Sequence, residues 1–212
     1  MRAVSAAIQI VRTHRRVYAA VNILYDRLVL AGMAWSQVDH GLAVRLRQAV
    51  NESLAGGGLA PVARVYEGGQ ILTAIALTLA LNLFLGSLAS ITIPSLLLPF
   101  SGLAVGSLRA FVWSLIFSPA PAGVTLKSLP LGAAVGGLLL LEGQGYVLAM
   151  LAAWIQGRAW VRPGTIGAAR RGEALRLGVR RTVSLYLLVA LTLTRRRRLR
   201  GTPIDHRLGE PG

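Results

Sequence analysis

A chain of 212 residues with a hydrophobic fraction of 54%, only 15% charged residues and a mean hydropathy of +0.57 is too apolar for a disordered segment or an ordinary soluble domain. Its formal charge of +15 would suggest nucleic acid on a soluble protein, but the arginines lie between and beside apolar runs, as membrane flanks do, so nucleic acid is not expected as a partner. The absence of cysteine excludes disulfides, thiolate nucleophiles and Cys metal sites, and His14, His40 and His206 all fall outside the apolar runs.

Residues 1–16 carry Arg2, Arg12, Arg15 and Arg16, with Val4, Ala7, Ile8 and Val11 at helical spacing. This reads as a basic amphipathic helix, either lying on an anionic leaflet or extending into solvent. Residues 17–35 follow as a first membrane span, interrupted by Asp26-Arg27. A cleaved signal peptide is the rival reading, and the charged pair inside the apolar run weighs against it. Polarity then rises, and residues 42–54 set Leu42, Leu46, Ala49, Val50 and Leu54 on one helical face with Arg45, Gln48 and Glu52 opposite, the pattern of an interfacial or extramembrane helix.

Residues 71–91 form the clearest span, free of formal charge and containing Asn82 and Gly86. Pro94 and Pro99 then disfavour helix twice in quick succession, so a break is expected there, either a tight turn or re-entrant half-helix buried in protein, or a loop at the membrane surface. The third span, residues 95–117, has Gly102 and Gly106 at a spacing that permits close helix packing, and carries Arg109 inside it. The fourth, residues 129–155, is longer than a perpendicular crossing needs and holds Glu142, Gly143, Gln144 and Gly145. Gly143 and Gly145 imply either a close helix approach beside Glu142 or backbone opening onto a cavity. A short apolar stretch at 182–194 leaves a fifth helix open as spanning or interfacial, and residues 195–212 are a basic tail.

The expected fold is therefore an all-α membrane bundle of four spans with an open fifth. Four arginines precede the first span and seven lie in residues 156–181, against Lys127 alone in residues 118–128, which puts the N-terminus in the cytoplasm. Asp26 and Glu142 fall at span midpoints, with Arg27, Asn82, Arg109 and Gln144 near the same depth. A lone charge at the centre of a span costs about 2.5–3.5 kcal/mol, so pairing is expected: Arg109 with Glu142, supported by Asn82 or Gln144, and Asp26 with Arg27 or Arg109. Such a centre serves either permeation or substrate binding, or only helix register. No metallohydrolase, nucleophile-elbow or phosphate-loop motif is present, so no catalysis, metal or cofactor is expected.

The stretches Asn82-Leu-Phe-Leu-Gly86, Pro94 to Gly106, Leu129-Pro-Leu-Gly132 and Leu141-Glu-Gly-Gln-Gly-Tyr-Val-Leu-Ala149 resemble the stage II sporulation protein M family of bacterial integral membrane proteins, across about residues 71–158. The chain departs from that family in having Leu131 where a His usually follows the Leu-Pro, and in its arginine-rich tail. The resemblance implies a helical protein of the bacterial cytoplasmic membrane that anchors partner membrane proteins without hydrolysing anything itself. Its expected surroundings are the lipid bilayer and other membrane proteins, with self-association left open. The competing expectation is a transporter or channel component using the midplane cluster.

Overall fold

Residues 129–161 are apolar on nearly every side, and such a helix is stable only where protein or lipid covers it. The computed structural model describes residues 2–57, 80–118 and 129–195 and isolated positions between 58 and 79, without the side chains of 2, 3, 54, 129–142 and 191–195. In it Val147, Ala149, Met150, Leu151, Ala152, Ala153 and Ile155 are fully buried at the centre of the bundle. The order of elements is α1 (Arg2–Thr13), α2 (Arg15–Val38), α3 (His40–Ala55), α4 (Leu81–Thr92), α5 (Pro94–Leu97), α6 (Ser101–Phe117), α7 (Leu129–Val161), a 3-10 turn (Pro163–Ile166) and α8 (Arg171–Arg195). No strand occurs among the described residues, and the protein is all-α.

Helix directions follow from which residues meet. Along α2 and α7, His14 touches Trp154 and Asn22 bonds Gln144, so the two run antiparallel. Gly32 and Ser36 of α2 meet Ser114 and Ser118, so α6 runs parallel to α2. Asn82 bonds Tyr146 and the Leu96 carbonyl accepts from Trp160, so α4 and α5 run parallel to α7. Gln156 bonds Thr182, and Gly178 faces Ala159, so α8 returns antiparallel to α7. Chain direction thus reverses at each step through α2, α4, α6, α7 and α8.

Small residues set the spacing. A Cβ on Gly106 would lie 2.6 Å from Met150, and one on Gly102 would overlap the Ile91 carbonyl, Ala153 and Ser95, so α6 meets α7 and α4 with almost no side chain between them. The close packing expected of Gly102 and Gly106 is present.

Several boundaries differ from the sequence reading. Pro94 does not end the second apolar helix. The turns from Leu81 to Thr92 are π-wound, with Ile93 N donating to the Leu88 carbonyl, and Pro94 opens α5 at a position where a helix start leaves the N–H unused. The break comes instead at Leu98 to Phe100, so the third helix begins at Ser101 and not at 95. The break is covered on one side only, where it meets α7, and leaves Leu97 and Leu98 exposed. Phe100, at φ +66, lays its ring where a Gly157 side chain would be, and Trp160 Nε1 donates to the Leu96 carbonyl at 2.7 Å. The start of the second span, residues 71–79, lies largely outside the described residues, as does the tail beyond 195.

The 182–194 stretch is no separate element but the second half of the 25-residue α8, whose Leu185 and Val189 pack on α7. α1 packs on α8, with Ala7 buried and Ile10 and Val11 joining the α7–α8 cluster. Its apolar side is partly covered by α8, with Ile8 left exposed. α3 matches its expected range. Asp39 Oδ1 caps it by accepting from Leu42 N at 2.8 Å, and its Arg47 donates to the Ile116 and Ser118 carbonyls that end α6.

One helix among the described residues, α2, is long and apolar enough to cross a membrane by length and composition, with Leu81–Leu97 and Ser101–Phe117 as shorter apolar helices. Large apolar side chains face outward on α2 (Ile23, Leu24, Leu30), α4 (Phe84, Leu85), α6 (Leu108, Phe117) and α8 (Val179, Val183, Leu187).

Candidate functional site

α7 carries two polar side chains two positions apart, Gln144 and Tyr146, and each joins it to different helices. Tyr146 donates from its hydroxyl to Asn82 Oδ1 at 3.0 Å and accepts from Arg109 Nη2 at 3.2 Å, linking α4, α6 and α7. The Arg109 guanidinium also lies 4.9 Å from the Tyr146 ring and 5.4 Å from the Trp113 ring. Gly86 makes room for both, because a Cβ there would sit 3.0 Å from Arg109 Nη2 and 3.2 Å from the Tyr146 hydroxyl.

Gln144 is held from α2. Its Nε2 donates to Asn22 Oδ1 and its Oε1 accepts from the Tyr18 hydroxyl, both at 2.8 Å. Asn22 Nδ2 in turn donates to the Tyr18 carbonyl, so the amide network is closed. One residue before Gln144, Gly143 gives up its side-chain space to the Tyr25 ring. Of the two readings of this glycine, close helix approach is the one observed. Gly145 is buried.

The expected cluster of six is therefore divided. Asn82 and Arg109 share one clip and Gln144 belongs to the other. The Glu142 side chain lies outside the described residues, and with it the expected Arg109–Glu142 pair. The pairing of Asp26 with Arg27 or Arg109 is not formed: Asp26 Oδ1 and Arg109 Nε are buried without a hydrogen-bond partner, and Arg27 is exposed. Helical geometry is the reason. Val21, Tyr25, Val29, Gly32 and Ser36 make the inward face of α2, which puts Asp26 on its flank and Arg27 on the opposite side.

Tyr18, Asn22 and Tyr146 were missed by sequence reasoning that looked for charges at midpoints. Tyr18, Asn22 and Tyr25 follow one another at steps of four and three, a polar and aromatic stripe that would have indicated where α2 meets a partner helix.

At the far end of the α2–α7 contact, His14 sets its ring edge-on to Trp154 at 5.5 Å, and Arg158 lies 5.2 Å over the same indole. Partial burial, and then the nearby charges of Arg181 and Arg158, hold the His14 imidazolium below its ordinary pKa. The arginines at this end come from three parts of the chain: Arg15 and Arg16 at the start of α2, Arg158 on α7 and Arg181 on α8.

No family model matches the chain, and no curated protein or solved structure is significantly similar to it.

Proposed function

We propose that this is a multi-pass protein of the bacterial cytoplasmic membrane, crossing four times through α2, α4, α6 and α7 with its N-terminus in the cytoplasm, and that it acts as a non-catalytic anchoring component of a membrane-protein assembly. The observation that carries the reading is the reversal of direction at each of these helices combined with large apolar side chains turned outward on α2, α4 and α6, which surround the buried α7. In water such a surface would be an aggregation liability; in a bilayer it is the surface that lipid requires. The Arg47 fork on the α6 carbonyls, the Gln144 network and the Trp160 bond to the α5 end support it further, since backbone and amide groups at membrane depth need partners inside the protein. The basic end formed by Arg15, Arg16, Arg158 and Arg181 suits the cytoplasmic leaflet.

The anchoring role draws on the likeness to the stage II sporulation protein M family and on the bonding of the polar side chains to one another, which suits a rigid frame better than a moving part. Topology is tested directly because the chain has no cysteine to remove. A Cβ at Gly56 or Gly164 meets nothing within 4 Å, so Gly56→Cys and Gly164→Cys leave packing untouched. In intact spheroplasts an impermeant maleimide should label position 56 and spare 164, and in inverted vesicles the reverse. Labelling of both from one side would sink the four-span reading.

A second reading, a transporter component, is favoured by the buried, unpartnered Asp26 Oδ1 and Arg109 Nε. Solute or proton flux in proteoliposomes that Arg109→Ala and Glu142→Gln both abolish would establish it over the anchoring role.

A further inference from the structure

We propose that the outward face of α2 docks a transmembrane helix of a partner protein that carries a carboxylate at mid-bilayer depth opposite Arg27. The inference rests on the multi-pass reading and names the chemistry of the partner it implies. Opposite the packed face of α2, the exposed residues include Ile23 and Leu30 and a row of Ala20, Leu24, Arg27, Ala31 and Ala34 at alternating steps of four and three. That alternation is the repeat of two helices crossing at a shallow left-handed angle, and the alanines of the row let a partner backbone approach beside the larger Ile23 and Leu30. No described helix of this chain covers the face, and Arg27 bonds no described residue.

Arg27 is at the centre of the 24-residue α2, about 17 Å along the axis from either end, further than an arginine side chain reaches toward a headgroup. Hydrocarbon offers it no counter-charge. Asp26 cannot serve, because it projects about 100° away and its Oδ1 is turned into the protein. A second copy of this chain fits poorly. A two-fold axis along the membrane normal would bring two Arg27 side chains to the same depth on the same seam, where like charges repel. What remains is a different helix bearing an aspartate or glutamate at that level, for which a desolvated ion pair is the driving force.

The test uses the full chain with Gly56→Cys carrying a donor dye, reconstituted in phosphatidylcholine vesicles with an acceptor-labelled Leu/Ala transmembrane peptide containing one central Asp, or Leu in its place. Energy transfer to the Asp peptide should half-saturate at a peptide-to-lipid ratio about tenfold lower than for the Leu peptide. Arg27→Leu should erase the preference without changing helicity, and Arg27→Lys should keep most of it. Equal transfer to both peptides overturns the proposal, as does crosslinking of two copies through Ala31→Cys at the same dilution. In sealed vesicles, labelling of Arg27→Cys by an impermeant maleimide would overturn the bilayer placement itself. Protection of that position without a peptide preference overturns the docking alone.

Discussion

Replacing Tyr146 with Phe removes one oxygen atom and leaves the ring, so it isolates what the hydroxyl does between α4, α6 and α7. Two hydrogen bonds are lost, one given to Asn82 at 3.0 Å and one received from Arg109 at 3.2 Å. Interhelical bonds in membrane proteins average about 0.6 kcal/mol each, so their direct loss is about 1.2 kcal/mol. The larger effect is what remains behind. Arg109 already has a buried Nε without a partner, and losing its one hydrogen bond to Tyr146 leaves a half-buried cation held by ring faces only. Stranding a buried donor costs a further ~1–3 kcal/mol, more when it is charged. Tyr146→Phe should therefore destabilise the bundle by about 2–4 kcal/mol. Arg109→Met removes the cation together with its bond and its ring contacts, a loss of about 1 kcal/mol after the relief of an unpaired charge. The double variant strands no cation, so it should be more stable than Tyr146→Phe alone, with a coupling of about 2 kcal/mol. Reversible unfolding in mixed micelles followed by far-UV circular dichroism measures all three variants. If the two changes add to within ~0.5 kcal/mol, the hydroxyl is not what satisfies Arg109 and the argument fails.

Gly143→Leu should be among the most damaging single changes at an α2–α7 contact, since Tyr25 occupies the space its side chain needs; a cysteine pair placed across α2 and α7 should then crosslink at well under half the native rate. Gln144→Leu loses both bonds to α2 and leaves Asn22 and Tyr18 unsatisfied, an expected cost of about 1–3 kcal/mol in the same unfolding assay, against little effect for a substitution at the exposed Leu30. The His14 imidazolium is disfavoured in the folded state by burial and by Arg181 and Arg158, so below its ordinary pKa of 6.5 the unfolded chain binds the proton more readily. Stability should hold above pH 6.5 and decline as pH falls through 6.5 toward the lowered folded value. His14→Gln should flatten that segment of the profile, and a flat native profile would refute the assigned cause.

How much of this was legible in the sequence depended on the kind of signal. The long apolar run within residues 129–155 marked a helix that needs apolar surroundings, and its described part from Gly143 on is the buried centre of the bundle. Gly102 and Gly106 could be read as packing positions from their four-residue spacing, whereas Gly143 left close approach and a cavity both open, and only its Tyr25 contact decides between them. The proline break was misplaced by several residues. Pro94 has a preference but no obligation: at the first position of a turn it fits a helix, and the π-wound turns before it allowed that. α8 was halved for a different reason, since Arg176, Arg180 and Arg181 ended the apolar run without ending the helix. The polar centre was sought by depth alone, and depth does not specify azimuth.

Azimuth explains why charges at one level are treated so differently. Arg109 faces α7 and finds the Tyr146 hydroxyl and ring there, beside the Trp113 ring of its own helix. Asp26, on the flank of α2, has one oxygen shut in without a partner. Arg27, one residue further, points away from the bundle altogether. A rotation of about 100° per residue separates these outcomes, while the change in depth is only about 1.5 Å. Inside the bundle the joining falls to Gln144 with Asn22 and Tyr18 and to Tyr146 with Asn82 and Arg109, while the charge at the outward midpoint of α2 bonds no described residue. On the proposed four-span placement Arg27 would face lipid, and a frame fastened mainly by amides and hydroxyls would then suit holding another membrane protein better than carrying a charge across.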